Sequence, residues 1–177
     1  MPGRITPLVT NEVYHIFNRG IDRRPTFTSK REYQRTLEAL NFYRFSSLPM
    51  SLSKFLKLSN ELRLEILKML EAKKKLVDIY SYCLMPNHFH LLLRQKQDTG
   101  ISKFLSNFEN SYTRYFNTKH RRVGPIFLNQ FKAVRIESDE QFIHVHRYIH
   151  LNPYTSYIIK SFNELIEYPW SLSLIHI

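Results

Sequence analysis

Residues 76–94, LVDIYSYCLMPNHFHLLLR, decide the fold of this chain. Two apolar runs of strand length, Leu76–Leu84 and His88–Arg94, lie on either side of the turn Met85-Pro86-Asn87. Apolar runs bounded by a Pro-Asn turn are typical of strands that follow one another in a sheet. The stretch therefore predicts a hairpin or an adjacent strand pair.

His88 and His90 are one residue apart on the second predicted strand. Alternate side chains of a strand project from the same face, so the two imidazoles share a face and Phe89 projects from the other. Neutral imidazole is a common metal ligand. The pair therefore supplies half of a divalent metal site, unless these are simply two polar residues on a half-exposed strand.

Hydrophobic spacing and turn residues also predict the elements around this pair. They are a strand at 12–18, a helix at 30–45, a helical insertion at about 50–75, a helix at 101–115, a basic loop at 118–122, a strand at 127–136, a helix from Ser138 that ends before Pro153, and a tail at 154–177 that packs back on the core. This order predicts one α+β domain over residues 1–177. Its fold is ferredoxin-like (split βαβ), an antiparallel sheet with helices on one face, and an extra C-terminal helix follows.

The composition indicates a polyanionic partner. The chain has 26 Lys and Arg against 15 Asp and Glu, a net charge of +11, together with 13 Phe and 11 Tyr. Basic charge combined with many aromatic rings suits single-stranded nucleic acid, because its bases can stack on aromatic side chains. No apolar run is long enough to span a bilayer and no signal peptide is expected, so no membrane partner is predicted. The single cysteine, Cys83, fits a reducing cytoplasm.

The last predicted helix supplies a further ligand and a nucleophile. Tyr148 and Asn152 are four residues apart and so share one face of that helix. The Asn152 carbonyl oxygen can ligate a hard divalent cation, and the Tyr148 hydroxyl can attack phosphorus. Tyrosine and asparagine at this spacing also occur in ordinary helix packing.

Basic residues concentrate close to these motifs in sequence. The candidates for phosphate contact are Arg19, Arg23, Arg24, Arg114, Lys119, Arg121, Arg122, Lys132 and Arg135. Lys and Arg near such motifs are expected to neutralise phosphates, although many basic residues only form a solvated face.

With both motifs present in this order, the chain resembles the single-tyrosine HUH transposases, and more narrowly the REP-associated tyrosine transposases. The resemblance rests on the segments 85–90 (MPNHFH) and 147–153 (RYIHLNP), with support from 14–20 (YHIFNRG) and 124–127 (GPIF). It covers residues 11–155, and the insertion is less typical.

The resemblance implies a single-stranded DNA endonuclease and strand transferase. His88, His90 and Asn152 would hold Mg²⁺ or Mn²⁺, and Tyr148 would form a 5′-phosphotyrosine link and release a 3′-hydroxyl. The implied partner is single-stranded or hairpin-forming palindromic DNA. The resemblance further implies a cytoplasmic, nucleoid-associated protein of a bacterium or archaeon that acts as a monomer or homodimer.

Two other classes remain open. A catalytically inactive ferredoxin-like module could bind DNA or RNA, since such sheets host many nucleic-acid binders. A zinc-dependent hydrolase would need a third histidine or a carboxylate near the pair and a general base, and the sequence has no HExxH motif.

Overall fold

The computed structural model describes residues 7–172, which form a five-stranded antiparallel sheet flanked by helices. The strands are β1 (Val13–Arg19), β2 (Val77–Met85), β3 (His88–Gln95), β4 (Lys132–Arg135) and β5 (Ser171–Leu172). Their order across the sheet is β4-β1-β3-β2-β5. The helices are α1 (Lys30–Tyr43), α2 (Leu52–Phe55), α3 (Asn60–Glu71), α4 (Gly100–His120), α5 (Asp139–Thr155) and α6 (Phe162–Ile166).

The predicted hairpin is confirmed. Strands β2 and β3 pair in antiparallel register from Met85 opposite His88 to Val77 opposite Gln95, and Pro86 and Asn87 make the turn. Strand β3 also pairs with β1, so it lies at the centre of the sheet. The α+β fold class, with an antiparallel sheet, is confirmed as well.

The main core lies between one face of the sheet and helices α1 and α4. Phe89 projects from that face of β3 and packs edge-on against Phe108 of α4, at 5.4 Å between ring centroids. Phe127 contacts both rings, and Tyr112 donates its hydroxyl hydrogen to the Thr26 carbonyl at 2.6 Å. These side chains are fully or almost fully buried, and each stabilises the fold by roughly 1.5–3 kcal/mol.

Helix α5 covers part of the opposite face. A second, smaller cluster joins Ile149 of α5 to Cys83, Met85, Leu92 and Ile136, which are all buried. The sheet is therefore sandwiched, with α1 and α4 on the face of Phe89 and α5 on the face from which His88 and His90 project.

The predicted basic loop at 118–122 is partly wrong, because α4 continues through Thr118 to His120. The last turn of α4 is held by Glu32 of α1, whose carboxylate accepts hydrogen bonds from Lys119 at 2.6 Å and His120 at 2.8 Å. The helix ends at Arg121, which adopts a left-handed conformation (φ 50°) that usually favours glycine.

The predicted strand at 127–136 is shorter in the structure. Only Lys132–Arg135 pair with β1 as a strand, and Phe127 forms an isolated bridge with Gly20. The apolar residues Ile126 and Phe127 are buried as the anchor of a loop rather than as part of a ladder. Their hydrophobicity therefore reflected tertiary packing and not strand periodicity.

The prediction that the last helix stops before Pro153 is wrong. Helix α5 passes through Pro153 and ends at Thr155, even though proline lacks an N–H and disfavours a helical residue before it. Pro153 lies in the last turn, and its carbonyl accepts hydrogen bonds from the N–H groups of Ile158 and Ile159. Asn152 and Pro153 are both buried.

The tail does pack back on the core as far as it is described. Trp170 stacks on Tyr33 of α1 at 4.6 Å, and the Tyr168 hydroxyl donates to the Leu84 carbonyl at 2.7 Å. Strand β5 extends the sheet beside β2. The rest of the predicted tail, residues 173–177, and the first six residues of the predicted domain lie outside the described residues.

Candidate active site

Strand register brings three histidines to the α5 face of the sheet. In β3, His88 and His90 project from this face, as the sequence spacing predicts. Pairing of Phe17 with His90 and of His15 with Leu92 places His15 and Phe17 of β1 on the same face. The His15 and His90 rings stack with their centroids 5.1 Å apart, and those of His88 and His90 are also 5.1 Å apart.

Helix α5 brings Tyr148 and Asn152 to these histidines. The helix begins with Ser138 as its N-cap, whose hydroxyl accepts from the Gln141 N–H. Ile149 anchors it on the sheet, which points Tyr148 edge-on at His90 and at His15, with ring centroids 5.6 Å and 5.8 Å apart.

One turn further along α5, Asn152 is almost fully buried and its side chain forms a hydrogen bond with His88. The Ser156 hydroxyl donates to the Asn152 Oδ1 at 3.3 Å. Tyr148 is 44% exposed, so its hydroxyl-bearing ring is accessible from solvent. The structure therefore gathers the four residues predicted for catalysis and metal binding in one place.

Sequence reasoning did not assign a role to His15. Its Nε2 and the Nδ1 of His90 share a buried hydrogen bond of 2.9 Å, which fixes the orientation of the His90 ring. The bond occupies Nδ1 of His90 and leaves its Nε2 available. In the sequence the only signal was that His15 and Phe17 alternate on a predicted strand, and their position beside His90 depends on a pairing register between distant segments.

The surroundings keep all three imidazoles neutral near pH 7. Burial lowers the pKa of His15 to about 4. Burial, with smaller contributions from His15 and His88, lowers the pKa of His90 to about 3. Burial also lowers the pKa of His88, an effect partly opposed by its hydrogen bond with Asn152. Neutral imidazole nitrogens are the form that binds a metal ion.

The donor set fits a divalent cation. Because the Asn87 Oδ1 can only accept, His88 donates through Nδ1 at 2.7 Å, and its Nε2, on the side of Asn152, carries the lone pair that a cation would take. In the tautomer in which His90 Nδ1 donates to His15 Nε2, the Nε2 of His90 carries a lone pair as well. Asn152 adds an amide oxygen, a ligand that hard cations accept. Two imidazoles and one amide oxygen, with no thiolate, form a set that can hold such an ion together with water or phosphate oxygens.

Within residues 7–172 no group of three or more His, Cys, Asp and Glu side chains is arranged to hold a metal ion. None of the helices described is long and apolar enough to cross a membrane.

The turn that carries His88 is clamped to the end of β1. The Gly20 N–H donates to the Asn87 carbonyl at 2.7 Å, and the Asn87 amide donates to the Arg23 carbonyl at 3.1 Å. A Cβ at Gly20 would lie 2.4 Å from the Arg24 carbonyl oxygen, so the close approach requires glycine. This clamp fixes His88 relative to β1.

The nine predicted phosphate contacts fall into separate groups. Three of them, Arg19, Arg23 and Lys132, line one cavity of about 500 Å³ that also contains His88. None of the three forms an ion pair with an acidic side chain among residues 7–172. This group alone adjoins the candidate site.

Other predicted contacts are neutralised or lie elsewhere. Lys119 binds the buried Glu32 carboxylate, and Arg114 lines a polar groove of about 580 Å³ beside α4. Because α4 packs on the Phe89 face, the sheet separates this groove from the histidines. The remaining four are as follows: Arg24 pairs with Asp22 at 3.5 Å, Arg135 pairs with Glu12 at 3.0 Å, and Arg121 and Arg122 follow the end of α4.

Comparisons with known proteins give one family match and two matches to solved structures. The model of the family "Transposase IS200 like" matches residues 50–152. The solved structure of a REP-associated tyrosine transposase bound to a REP hairpin has a TM-score of 0.64 and 14% sequence identity, over 97% of this chain and 82% of that one. A crystal structure from Deinococcus radiodurans that carries a transposase designation has a TM-score of 0.44 and 12% identity, over 84% and 95% of the two chains. Comparison with curated protein sequences gives no match.

The fold and the sequence match together define a transposase. The chain belongs to the IS200-like transposase family, whose model spans the hairpin with His88 and His90 and ends at Asn152 on α5.

Proposed function

We propose that this transposase cleaves and rejoins single-stranded DNA through a covalent 5′-phosphotyrosine at Tyr148. The observation that carries the proposal is the position of Tyr148, which is 44% exposed and lies edge-on to His90 with ring centroids 5.6 Å apart. A tyrosine oxygen beside neutral imidazoles is suited to attack a phosphodiester, because it is accessible and is held on a packed helix.

In the proposed reaction the Tyr148 oxygen forms a bond to phosphorus while the bond from phosphorus to the 3′ oxygen breaks. The phenolic proton is lost to solvent, and the released 3′ oxygen takes up a proton. The phosphotyrosine conserves the phosphodiester, so attack by a 3′-hydroxyl restores a DNA strand and frees the tyrosine. Ile149, packed on the sheet, keeps Tyr148 at a fixed distance from the histidine face.

His88, His90 and Asn152 would hold the divalent cation, which we propose to be Mg²⁺ or Mn²⁺. When bound, such a cation withdraws charge from a non-bridging oxygen of the scissile phosphate. His15 and Asn87 would orient the two ligand imidazoles through the hydrogen bonds at 2.9 Å and 2.7 Å.

We propose hairpin-forming DNA as the substrate class. The structural relative with the TM-score of 0.64 is bound to a REP hairpin, which supports a similar partner here. The net charge of +11 favours a polyanion, as do the cations beside His88, which form no ion pair within residues 7–172. A narrower place among the REP-associated tyrosine transposases is part of the same proposal.

The test is an adduct assay on a single strand that contains a hairpin and a flanking single-stranded segment. With Mg²⁺ or Mn²⁺, a 3′-labelled strand should become linked to the protein on a denaturing gel. A 5′-labelled strand should instead be shortened and released with a 3′-hydroxyl. Tyr148→Phe should abolish the adduct and leave DNA binding within about threefold.

Tyr154→Phe is the matched control, because Tyr154 also lies on α5 but stacks on Phe162. It should form the adduct normally. An adduct that persists in Tyr148→Phe would place the nucleophile elsewhere. If the unmodified protein binds hairpins tightly but forms no adduct with either cation, the chain is a binding module and the proposed chemistry is wrong.

A further inference from the structure

We infer that the cavity beside His88 is a subsite for one unpaired nucleotide next to the reacting phosphodiester, whose base edge faces the Gln130 carboxamide. The inference rests on the proposed function, since it concerns the same strand of DNA. It assigns a part of the substrate to a surface that begins at His88 and extends away from Tyr148, His90 and Asn152.

The cavity has the size and position that such a nucleotide requires. Its volume of about 500 Å³ lies within the range of roughly 300–1,000 Å³ usual for small-molecule sites. Its wall includes His88, so a phosphodiester held by the site residues continues directly into it. It opens on the sheet face that carries Tyr148, and not on the groove beside Arg114.

The lining combines an apolar wall with cations. Phe17 and Leu128 provide the apolar surface. The Phe17 ring packs against the His15 and His90 rings, with centroids 5.1 Å and 5.6 Å apart. Arg19 extends the same strand beyond Phe17 and pairs with His88 in register. An aromatic ring beside unpaired cations is the combination that single-stranded nucleic acid binders use for a base and its phosphate.

The cations are placed by the fold, and not only by composition. Lys132 enters the cavity because it pairs with Phe17 across the β1–β4 ladder, whereas Arg135, three residues on, projects from the other face to Glu12. Arg23 is held in a left-handed conformation (φ 57°), and its carbonyl accepts from Asn87. Left-handed residues other than glycine are strained, so this turn is maintained by its surroundings.

Three side-chain amides line the cavity, and two of them are held by hydrogen bonds to other residues of the protein. Asn18 is almost fully buried and donates to the Glu109 carboxyl and to the Leu128 carbonyl, while Asn87 bonds to His88 and Arg23. Gln130 is exposed, and its carboxamide forms no hydrogen bond to other residues in the described range 7–172. A carboxamide offers one donor group and one acceptor, which can read a base edge such as that of adenine.

The experiment measures binding separately from cleavage. Tyr148→Phe protein is titrated with a fluorescein-labelled hairpin strand in which each flanking nucleotide is replaced in turn by an abasic one. One position should lose tenfold or more in affinity and the others less than threefold, because one base loses its stacking and edge contacts. At that position the four natural bases should differ by at least fivefold.

Gln130→Ala should reduce the differences among the four bases at that position to less than twofold. Asn129→Ala, the exposed neighbour that lines a different cavity, should leave them unchanged. Lys132→Gln should flatten the dependence of log affinity on log salt by about 0.7, the value for one phosphate of a single strand. Arg135→Gln, whose arginine is paired with Glu12, should not change that slope.

A flat abasic scan in a protein that binds the strand overturns the inference, as does an undiminished base preference in Gln130→Ala. Absence of any binding overturns it as well. Failure of the proposed chemistry gives a different pair of results. The unmodified protein would then form no covalent adduct, while the abasic scan would still identify one position that matters for binding.

Discussion

Replacing Glu32 by glutamine should destabilise the protein in a pH-dependent way. The Glu32 side chain is completely buried and accepts hydrogen bonds from the Thr28 N–H and hydroxyl, from Lys119 and from His120, at 2.6 to 2.8 Å. Burial raises its pKa, but these bonds outweigh burial and lower the pKa from 4.5 to about 2.

A difference of about 2.5 in pKa corresponds to about 3 kcal/mol of unfolding free energy, at roughly 1.4 kcal/mol per pKa unit. The Lys119 and His120 side chains are 38% and 35% exposed, and solvent screens their interaction with the carboxylate. We therefore expect Glu32→Gln to lower the unfolding free energy by about 2 kcal/mol at pH 7.

The sign of the pH dependence follows from the lowered pKa. The unfolding free energy that Glu32 contributes is fully present above pH 4.5 and is lost as the pH falls towards 2. Between these pH values the unfolded chain already carries a proton on Glu32 and the folded protein does not. Urea unfolding followed by circular dichroism at several pH values measures this. The difference between wild type and Glu32→Gln should be constant from pH 5 to 8 and shrink below pH 4.5.

Glu38→Gln, on the same helix but partly exposed, should change the unfolding free energy by less than about 0.5 kcal/mol. If Glu32→Gln loses less than about 1 kcal/mol of unfolding free energy at pH 7, or if its loss does not depend on pH, the Glu32 carboxylate does not stabilise the fold as described. Lys119→Met provides a second check, since it should destabilise the protein without changing the salt slope of DNA binding.

Three further predictions concern single residues. His15→Phe should weaken divalent-cation binding about 10- to 100-fold in calorimetric titration, because it removes the hydrogen bond that orients a ligand imidazole; an unchanged affinity would contradict this role. Burial, opposed by the hydrogen bond from Asn18, raises the pKa of Glu109 to about 7, so the stability it contributes is complete below pH 4.5 and lost as the pH rises through 7. In urea unfolding, Glu109→Gln should thus be about 2 kcal/mol more stable than wild type at pH 8 and equal to it at pH 4.5. A variant less stable than wild type at pH 8 would show that the Glu109 carboxylate is ionised in the folded protein without destabilising it. Gly20→Ala should cost about 1–3 kcal/mol, since its Cβ would meet the Arg24 carbonyl oxygen at 2.4 Å; a melting temperature within 1 °C of wild type would contradict this.

Local periodicity was sufficient to predict which residues share an element and a face. The alternation of a strand puts His88 and His90 together, and the turn of a helix puts Tyr148 and Asn152 together. These predictions depend only on residues within a few positions of one another. The joining of the two pairs in one site depends on α5 packing across the β2–β3 hairpin, which no local pattern contains.

The sequence could not predict long-range register or charge pairing. His15 reaches His90 only because β1 and β3 pair in one particular alignment, and a shift of one residue would turn it to the other face. Likewise, the sequence does not distinguish Lys119 and Arg135 from the other basic residues. The fold places their acidic partners, Glu32 and Glu12, beside them.

The wide separation of the site residues along the chain has a consequence for biosynthesis. His15 and His90 are 75 residues apart and share a buried hydrogen bond, and α5, which carries Tyr148, follows both. Contacts between distant segments form late, because closing a long loop costs entropy before any contact repays it. A nascent chain on the ribosome therefore lacks the complete set of site residues until Asn152 has been added, and under the proposed function a chain that ends earlier could not cleave any DNA strand.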